Sequence, residues 1–122
     1  MFQLDGLDHI ALAVTDTENT AKWYIDVLGF ERRHEGMWNG VPVFIGKGAT
    51  SIALFPKGFG DTKRGWLLHF ALRADRENFQ KAQAEFRAQK IAFEFQDHEI
   101  SHSIYFQDPN GHEIEITTYD VS

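Results

Sequence analysis

At 122 residues, with 43% hydrophobic and 14% aromatic side chains, the chain is long enough to bury one sizeable core and too short for a second independently folded domain. It contains no cysteine, which excludes disulfides, thiolate ligands and a cysteine nucleophile, so any metal must bind through nitrogen and oxygen. The net charge of -6, with Lys47, Lys57, Lys63 and Arg64 dispersed, argues against nucleic acid, and the absence of an apolar run or a signal-type N-terminus leads us to expect a cytoplasmic protein with no membrane partner.

The residues from Leu7 to Val14 alternate, placing His9, Ala11 and Ala13 on one face of a strand and Ile10, Leu12 and Val14 on the other. Thr15 and Glu18 have the spacing of a capping box, and Ala21, Tyr24, Ile25 and Leu28 recur at helical spacing until Gly29 ends the helix. Strands are then expected over Glu31 to Trp38, Val41 to Ile45 and Thr50 to Phe55, joined by an Asn39-Gly40 hairpin turn and a Gly46-Lys47-Gly48 turn. The first half reads βαβββ. Residues 56–65, rich in Gly, Lys and Pro, have no period and form the connection between halves.

The second half repeats the order. Trp66 to Arg73 reads as a strand with His69, Ala71 and Arg73 on one face, and Asp75 to Lys90 as a helix with Phe79, Ala82 and Phe86 inward. Three more strands follow over Ile91 to Gln96, Ser101 to Gln107 and His112 to Thr118, the last two joined by the turn Asp108-Pro109-Asn110-Gly111. In the last strand Ile114 and Ile116 share one face, and Glu113, Glu115 and Thr117 the other. The halves also match in residues: His9-Ile10-Ala11-Leu12 against His69-Phe70-Ala71-Leu72, and Asp16-Thr17-Glu18-Asn19 against Asp75-Arg76-Glu77-Asn78. Two copies of a unit of about 60 residues are the signature of a duplication paired about a pseudo-twofold axis, here with modules at approximately 1–58 and 65–122 in a single domain, 1–122.

Such pairing brings His9 and His69 together and makes Ala53 the equivalent of Glu115. Two imidazoles and one carboxylate on strand interiors form a two-histidine, one-carboxylate metal set, and Ala53 leaves a further position to water or substrate. Nitrogen and oxygen ligands suit Fe(II), Mn(II), Zn(II), Co(II) or Ni(II) alike. Glu113, on the face of Glu115, is the competing carboxylate; taken singly, His9 and His69 also read as hydrogen-bonded structural histidines.

The motifs Asp8-His9-Ile10-Ala11-Leu12-Ala13-Val14, Trp23-Tyr24-Ile25-Asp26-Val27-Leu28-Gly29-Phe30, His69, and Asp108-Pro109-Asn110-Gly111-His112-Glu113-Ile114-Glu115 cover nearly the full length. On them the chain resembles the vicinal oxygen chelate superfamily, which includes glyoxalase I, methylmalonyl-CoA epimerase, fosfomycin-modifying thiol transferases, type I extradiol dioxygenases and bleomycin-binding proteins. The resemblance implies an α+β fold of two paired βαβββ modules curled into an open, mixed-sheet barrel around one divalent metal, with His9, His69 and Glu115 as ligands. A homodimer is also expected, because modules pair within one chain or by exchange between two.

One scaffold hosts many chemistries, so the reaction must be argued from residues. Glyoxalase I and the epimerase place a fourth ligand where this chain has Ala53, which neither ligates nor moves a proton. The phosphonate-binding transferases use Lys and Arg, whereas this chain reads Gln96-Asp97-His98-Glu99. His98, Ile104-Tyr105, Asp108-Pro109, Gly111 and Glu115 follow the order of the extradiol signature, with Gln96 a departure from it. The leading expectation is therefore an Fe(II)-dependent, extradiol-type dioxygenase acting on a small oxygen-rich substrate, a catechol. Tyr105 is the candidate for hydrogen bonding the substrate, His98 the candidate acid or base, and Ala53 and Arg73 further substrate-facing residues. The alternatives are a thiol transferase or lyase on the same metal site, or a non-catalytic binding or resistance protein. His34 and His112 are assigned to surface or turn, His102 points away from the cavity, and Trp23, Trp38 and Trp66 are core or rim aromatics, with Trp38 placed to cover a ligand.

Overall fold

The computed structural model describes residues 1, 3, 5–59 and 67–121, and the chain divides into two units, Met1–Arg64 and Gly65–Ser122. The first unit runs β1 (Ile10–Val14), α1 (Thr17–Leu28), β2 (Glu31–Arg33), β3 (Val43–Lys47) and β4 (Thr50–Pro56). The second runs β5 (Phe70–Arg73), α2 (Arg76–Ala88), β6 (Glu94–Asp97), β7 (His102–Gln107) and β8 (Glu113–Thr118). Each is βαβββ, and the class is α+β, as the sequence predicts. The remaining connection residues beyond 59 and the expected strand start at Trp66 lie outside the described residues.

The sheets have matching orders, β1-β4-β3-β2 and β5-β8-β7-β6. The first and last strands of each unit are parallel, and the other pairs antiparallel. A parallel pair needs a long crossover, which α1 or α2 with the hairpins supplies. One face of each sheet meets the helix. In the first unit Leu12, Val14, Ile45, Ile52 and Leu54 are buried with Ala21, Tyr24 and Phe30. In the second, Ile104, Phe106, Ile114 and Ile116 are buried with Phe79 and Phe86, and the rings of Phe86 and Phe106 meet edge to face at 4.7 Å. Full burial of such a side chain stabilises by about 1.5–3 kcal/mol, so each helix-facing layer holds its own unit folded.

The helix boundaries show one correction. The N-cap of α1 is Asp16, whose carboxylate accepts from the Asn19 amide at 3.0 Å, rather than Thr15 paired with Glu18. Asp75 caps α2 in the same way, accepting from the Asn78 amide at 2.8 Å. A carboxylate at the first turn also answers the helix dipole, and Glu18 is left to pair with Arg32 at 2.7 Å. Gly29 ends α1 at φ 74, as expected of a glycine after the last periodic residue.

The strands after α1 differ most from expectation. β2 stops at Arg33, and residues 34–42 form a loop in which His34, Trp38 and Asn39 hold φ values of 55, 54 and 53 and Trp38–Gly40 makes a short helical turn. The Asn39-Gly40 signal therefore marks a turn inside a longer connection, not a two-residue hairpin. β3 starts at Val43, and Gly46 and Lys47 belong to it rather than to the turn. The reason is Arg33. Its guanidinium crosses the strand to Gly48 O at 2.6 Å and Ser51 Oγ at 2.7 Å, in space that a Cβ on Gly46 would fill.

Candidate functional site

β8 carries the chemistry of the second unit because its two faces differ. Ile114 and Ile116 go to the helix side, leaving Glu113, Glu115 and Thr117 on the other. Glu115 is 9% exposed and lies in register with Ala71 on β5 and Tyr105 on β7. A buried carboxylate needs donors or a cation. Ser103, fully buried on β7, donates its hydroxyl to Glu115 Oε2 at 2.6 Å and stands 3.0 Å from Thr117 Oγ1. The other oxygen, Oε1, stands 3.0 Å from His69 Nε2.

That arrangement divides the two carboxylate oxygens between partners. Ser103 occupies Oε2, and Oε1 shares a point of approach with an imidazole nitrogen. Two ligand atoms at right angles about 2.1 Å from one divalent ion stand about 3 Å apart, so the donor pair fits a metal in spacing as well as chemistry. Among the described residues, no three His, Asp or Glu side chains converge as a complete ligand set.

Tyr105 lies beside this pair. Its ring meets His69 edge to face at 5.6 Å, and its hydroxyl is 3.0 Å from His98 Nε2. Burial, then the negative charge of Glu115 and hydrogen bonding to it, push the phenol above its ordinary pKa, outweighing the opposite effect of Ser103. Tyr105 therefore keeps its proton and can donate it. The direction of His98, which sequence leaves open, comes from the turn after β6. His98 N donates to Ser101 O, Glu99 holds φ 68, and Asp97 Oδ1 accepts from the Glu99 amide. His102 lies on the opposite face, 3.5 Å from Asp97 and edge-on to Phe95. A cavity of ≈ 490 Å³ next to Tyr105 is lined by Phe93, Glu94, Gln107 and Glu113 among others.

In the first unit the equivalent registers carry different side chains. Ala53, fully buried, pairs with Ala11 on β1 and Phe44 on β3, so it stands where Glu115 stands in the second unit and Phe44 where Tyr105 stands. His9 precedes β1, just as His69 precedes β5. Its Nδ1 is 2.8 Å from Asp8 Oδ2, an arrangement in which the carboxylate accepts a hydrogen bond from Nδ1–H and the neutral ring keeps its lone pair on Nε2. The His9 ring also contacts Phe44 at 5.2 Å. Arg73 is exposed, with its guanidinium carbon 5.0 Å from the Tyr119 ring centre.

Sequence reasoning singles out His9, His69, Ala53, Arg73, Glu115, Tyr105 and His98, and the second unit brings four of these, His69, Glu115, Tyr105 and His98, together. It misses Ser103 as the anchor of Glu115 and Asp8 as the partner of His9. The signals are present, since Ser103 shares the Tyr105 face by alternation and Asp8 adjoins His9. His34 is exposed, as the sequence reading has it, and its ring also meets Trp38 and Phe44 at 5.6 and 5.2 Å.

Comparison with known proteins gives the same outline. The sequence model of the Glyoxalase/Bleomycin resistance protein/Dioxygenase superfamily matches residues 6–116. A search of curated proteins finds no match. Among solved structures, a lactoylglutathione lyase from Agrobacterium tumefaciens is 22% identical, with TM-score 0.77 and 94% of each chain covered. A virulence protein from Salmonella typhimurium is 23% identical with TM-score 0.72, covering 97% of this chain and 99% of that one. The oxidase ChaP-H2 is 21% identical with TM-score 0.74, covering 95% and 94%. At these identities the structural likeness is one of fold.

Proposed function

The chain belongs to the Glyoxalase/Bleomycin resistance protein/Dioxygenase superfamily, and from that premise we propose that it is a divalent-metal-dependent enzyme acting on a small oxygen-rich substrate, with extradiol-type oxygenation of a catechol as the reaction. The observation that carries the reading is the Glu115 carboxylate, anchored through one oxygen by Ser103 and facing His69 Nε2 at 3.0 Å with the other. His69 and Glu115 supply two ligands and His9, from the first unit of the same chain or of a second copy in a homodimer, supplies the third. Fe(II) is favoured for oxygen chemistry, and Mn(II), Zn(II), Ni(II) and Co(II) suit the same donors. A bound ion contributes Lewis acidity toward two vicinal oxygens of the substrate and a place for dioxygen.

The remaining groups act through protons and space. Tyr105, held protonated, donates a hydrogen bond to a substrate oxygen, and His98 takes or returns a proton through the Tyr105 hydroxyl at 3.0 Å. Ala53, at the register that Glu115 holds in the second unit, offers no carboxylate, which disfavours an isomerase needing a fourth ligand. Glu94 and Glu113, on the Tyr105 side, disfavour a phosphonate or another polyanion. Arg73 remains the candidate to meet an acidic substituent.

Anaerobic loading with Fe(II), followed by oxygen uptake with a panel of catechols, tests the reaction. Catechol-dependent uptake that fails in Tyr105→Phe and His98→Ala supports it. A metal-loaded protein without uptake overturns the oxygenase reading in favour of thiol transfer, a lyase reaction or binding without turnover. Sedimentation of the same preparation checks the homodimer.

A further inference from the structure

β6 is the outer strand of the second sheet, with β7 on one side and, among the described residues, no strand on the other. Its ladder fixes which backbone groups point outward. Asp108 N bonds to His112 O across the turn between β7 and β8, and His98 N bonds to Ser101 O across the turn between β6 and β7. Bonded and non-bonded pairs alternate along an antiparallel ladder, so both bonds give the same phase. Glu94 with Tyr105 and Gln96 with Ser103 exchange the bonds, and the amides and carbonyls of Phe95 and Asp97 turn away from β7. An open edge is ordinarily blunted by shortness, lysine, proline or a bulge. β2, the outer strand of the first sheet, ends after three residues, where the chain turns into the 34–42 loop. β6 has neither lysine nor proline, its register is unbroken and all four of its residues are exposed. Phe95, 47% exposed, carries the apolar layer under α2 out to this edge, its ring 6.3 Å from Phe79 and 5.3 Å from His102. A cavity of ≈ 280 Å³ opens beside it, lined in part by Phe79, Gln83, Phe95 and His102. The charge here has one sign: Glu94, Asp97 and Glu99 lie on or just after the strand, and residues 91–122 contain no lysine or arginine. Arg76, at the same cavity, is held by Asp120 at 3.5 Å.

We propose that the β6 edge is a docking site for an extended, basic segment of a partner protein, which adds a strand to this sheet. The backbone of the segment bonds to Phe95 and Asp97, an apolar side chain covers Phe95 at the mouth of the cavity, and a lysine or arginine on the other face meets Glu94. Charge selects the occupant. Two β6 edges side by side would set Glu94, Asp97 and Glu99 of both copies along one seam, where like charges repel, whereas a basic strand is attracted to the same row. This goes beyond the proposed reaction, since strand addition needs no ion and no turnover.

Fluorescence anisotropy of a labelled heptapeptide of alternating lysine and valine, titrated with the chelator-treated full chain at physiological salt, tests the edge. Two analogues serve as comparators, one with glutamate in place of lysine and one N-methylated at the valine amides, which lie opposite Phe95 and Asp97 and must donate to β6. Saturable binding of the lysine peptide is expected, at least tenfold tighter than either analogue. Asp97→Pro removes an outward N–H and leaves the β7 ladder intact, and Glu94→Lys reverses a charge. Each should weaken binding at least tenfold with unchanged circular dichroism. Equal affinity for the N-methylated peptide would reduce the effect to adsorption on an acidic surface and overturn the proposal. So would an absence of saturable binding, or full affinity in both variants. Self-association of the wild type that Asp97→Pro abolishes in sedimentation would overturn it in favour of a second copy at this edge. Because no metal is present, failure of the metal reading leaves this result standing, and the reverse holds as well.

Discussion

In the first unit, Ala53 pairs with Ala11 and Phe44; in the second, Glu115 pairs with Ala71 and Tyr105. The backbone registers are the same and the chemistry is not. One sheet presents an apolar, ring-lined face, and the other a carboxylate held by Ser103 beside His69, Tyr105 and His98. A duplicated fold thus keeps its helix-facing layers alike, where both copies bury the same apolar residues, and diverges on the opposite face, where one copy meets burial with Ala53 and the other with a Glu115 carboxylate bonded to Ser103.

The largest expected effect comes from giving the first unit the residue of the second. Ala53→Glu buries a carboxylate with no donor like Ser103 in place, and the chelated protein should lose about 3 kcal/mol or more of stability in urea. An unchanged urea midpoint would mean that the Ala53 environment accepts charge and that the two faces differ less than their residues. Next, Ser103→Ala frees the Glu115 carboxylate to turn. Metal affinity should fall by roughly 10–100-fold while the fold is kept, as measured by competition with a chelator of known strength. Undiminished affinity would make Ser103 a packing residue only.

The Tyr105 and Phe44 positions differ by one hydroxyl, which can be followed spectroscopically. With its folded pKa raised, the Tyr105 phenol contributes stability that is fully present below about pH 10, the unfolded value, and is lost as pH rises through the folded one. The ultraviolet difference titration between wild type and Tyr105→Phe should show one phenol ionising above pH 10. A component at or below pH 10 would contradict the burial and Glu115 charge assigned to it. Smallest are the helix caps, where the units agree: Asp16→Ala and Asp75→Ala should each cost about 1 kcal/mol. A large inequality between them would show that the two helices are not equivalently held.

The sequence makes the repeat, the helices and most strands legible because period and turn residues are local signals. Asp108-Pro109-Asn110-Gly111 closes as expected, with Asp108 N bonded to His112 O and its carboxylate to the Asn110 and His112 amides. Where tertiary contacts decide, local signals mislead. Gly46 reads as a turn residue but lies in β3 because Arg33 needs its space, and Asn39-Gly40 reads as a hairpin but sits inside the loop that lifts Trp38. Within the site, alternation gives the face of Glu115, Ser103 and Tyr105. The direction of His98 depends on a turn with Glu99 in the left-handed region, which no periodicity reports.

The most direct test of the metal reading is the metal content of the purified protein, measured for wild type, Glu115→Ala and Glu113→Ala after equal exposure to a divalent ion. One ion per chain in wild type and Glu113→Ala, and none retained by Glu115→Ala, is the predicted result. Stoichiometric metal in Glu115→Ala, or none in wild type, would contradict it.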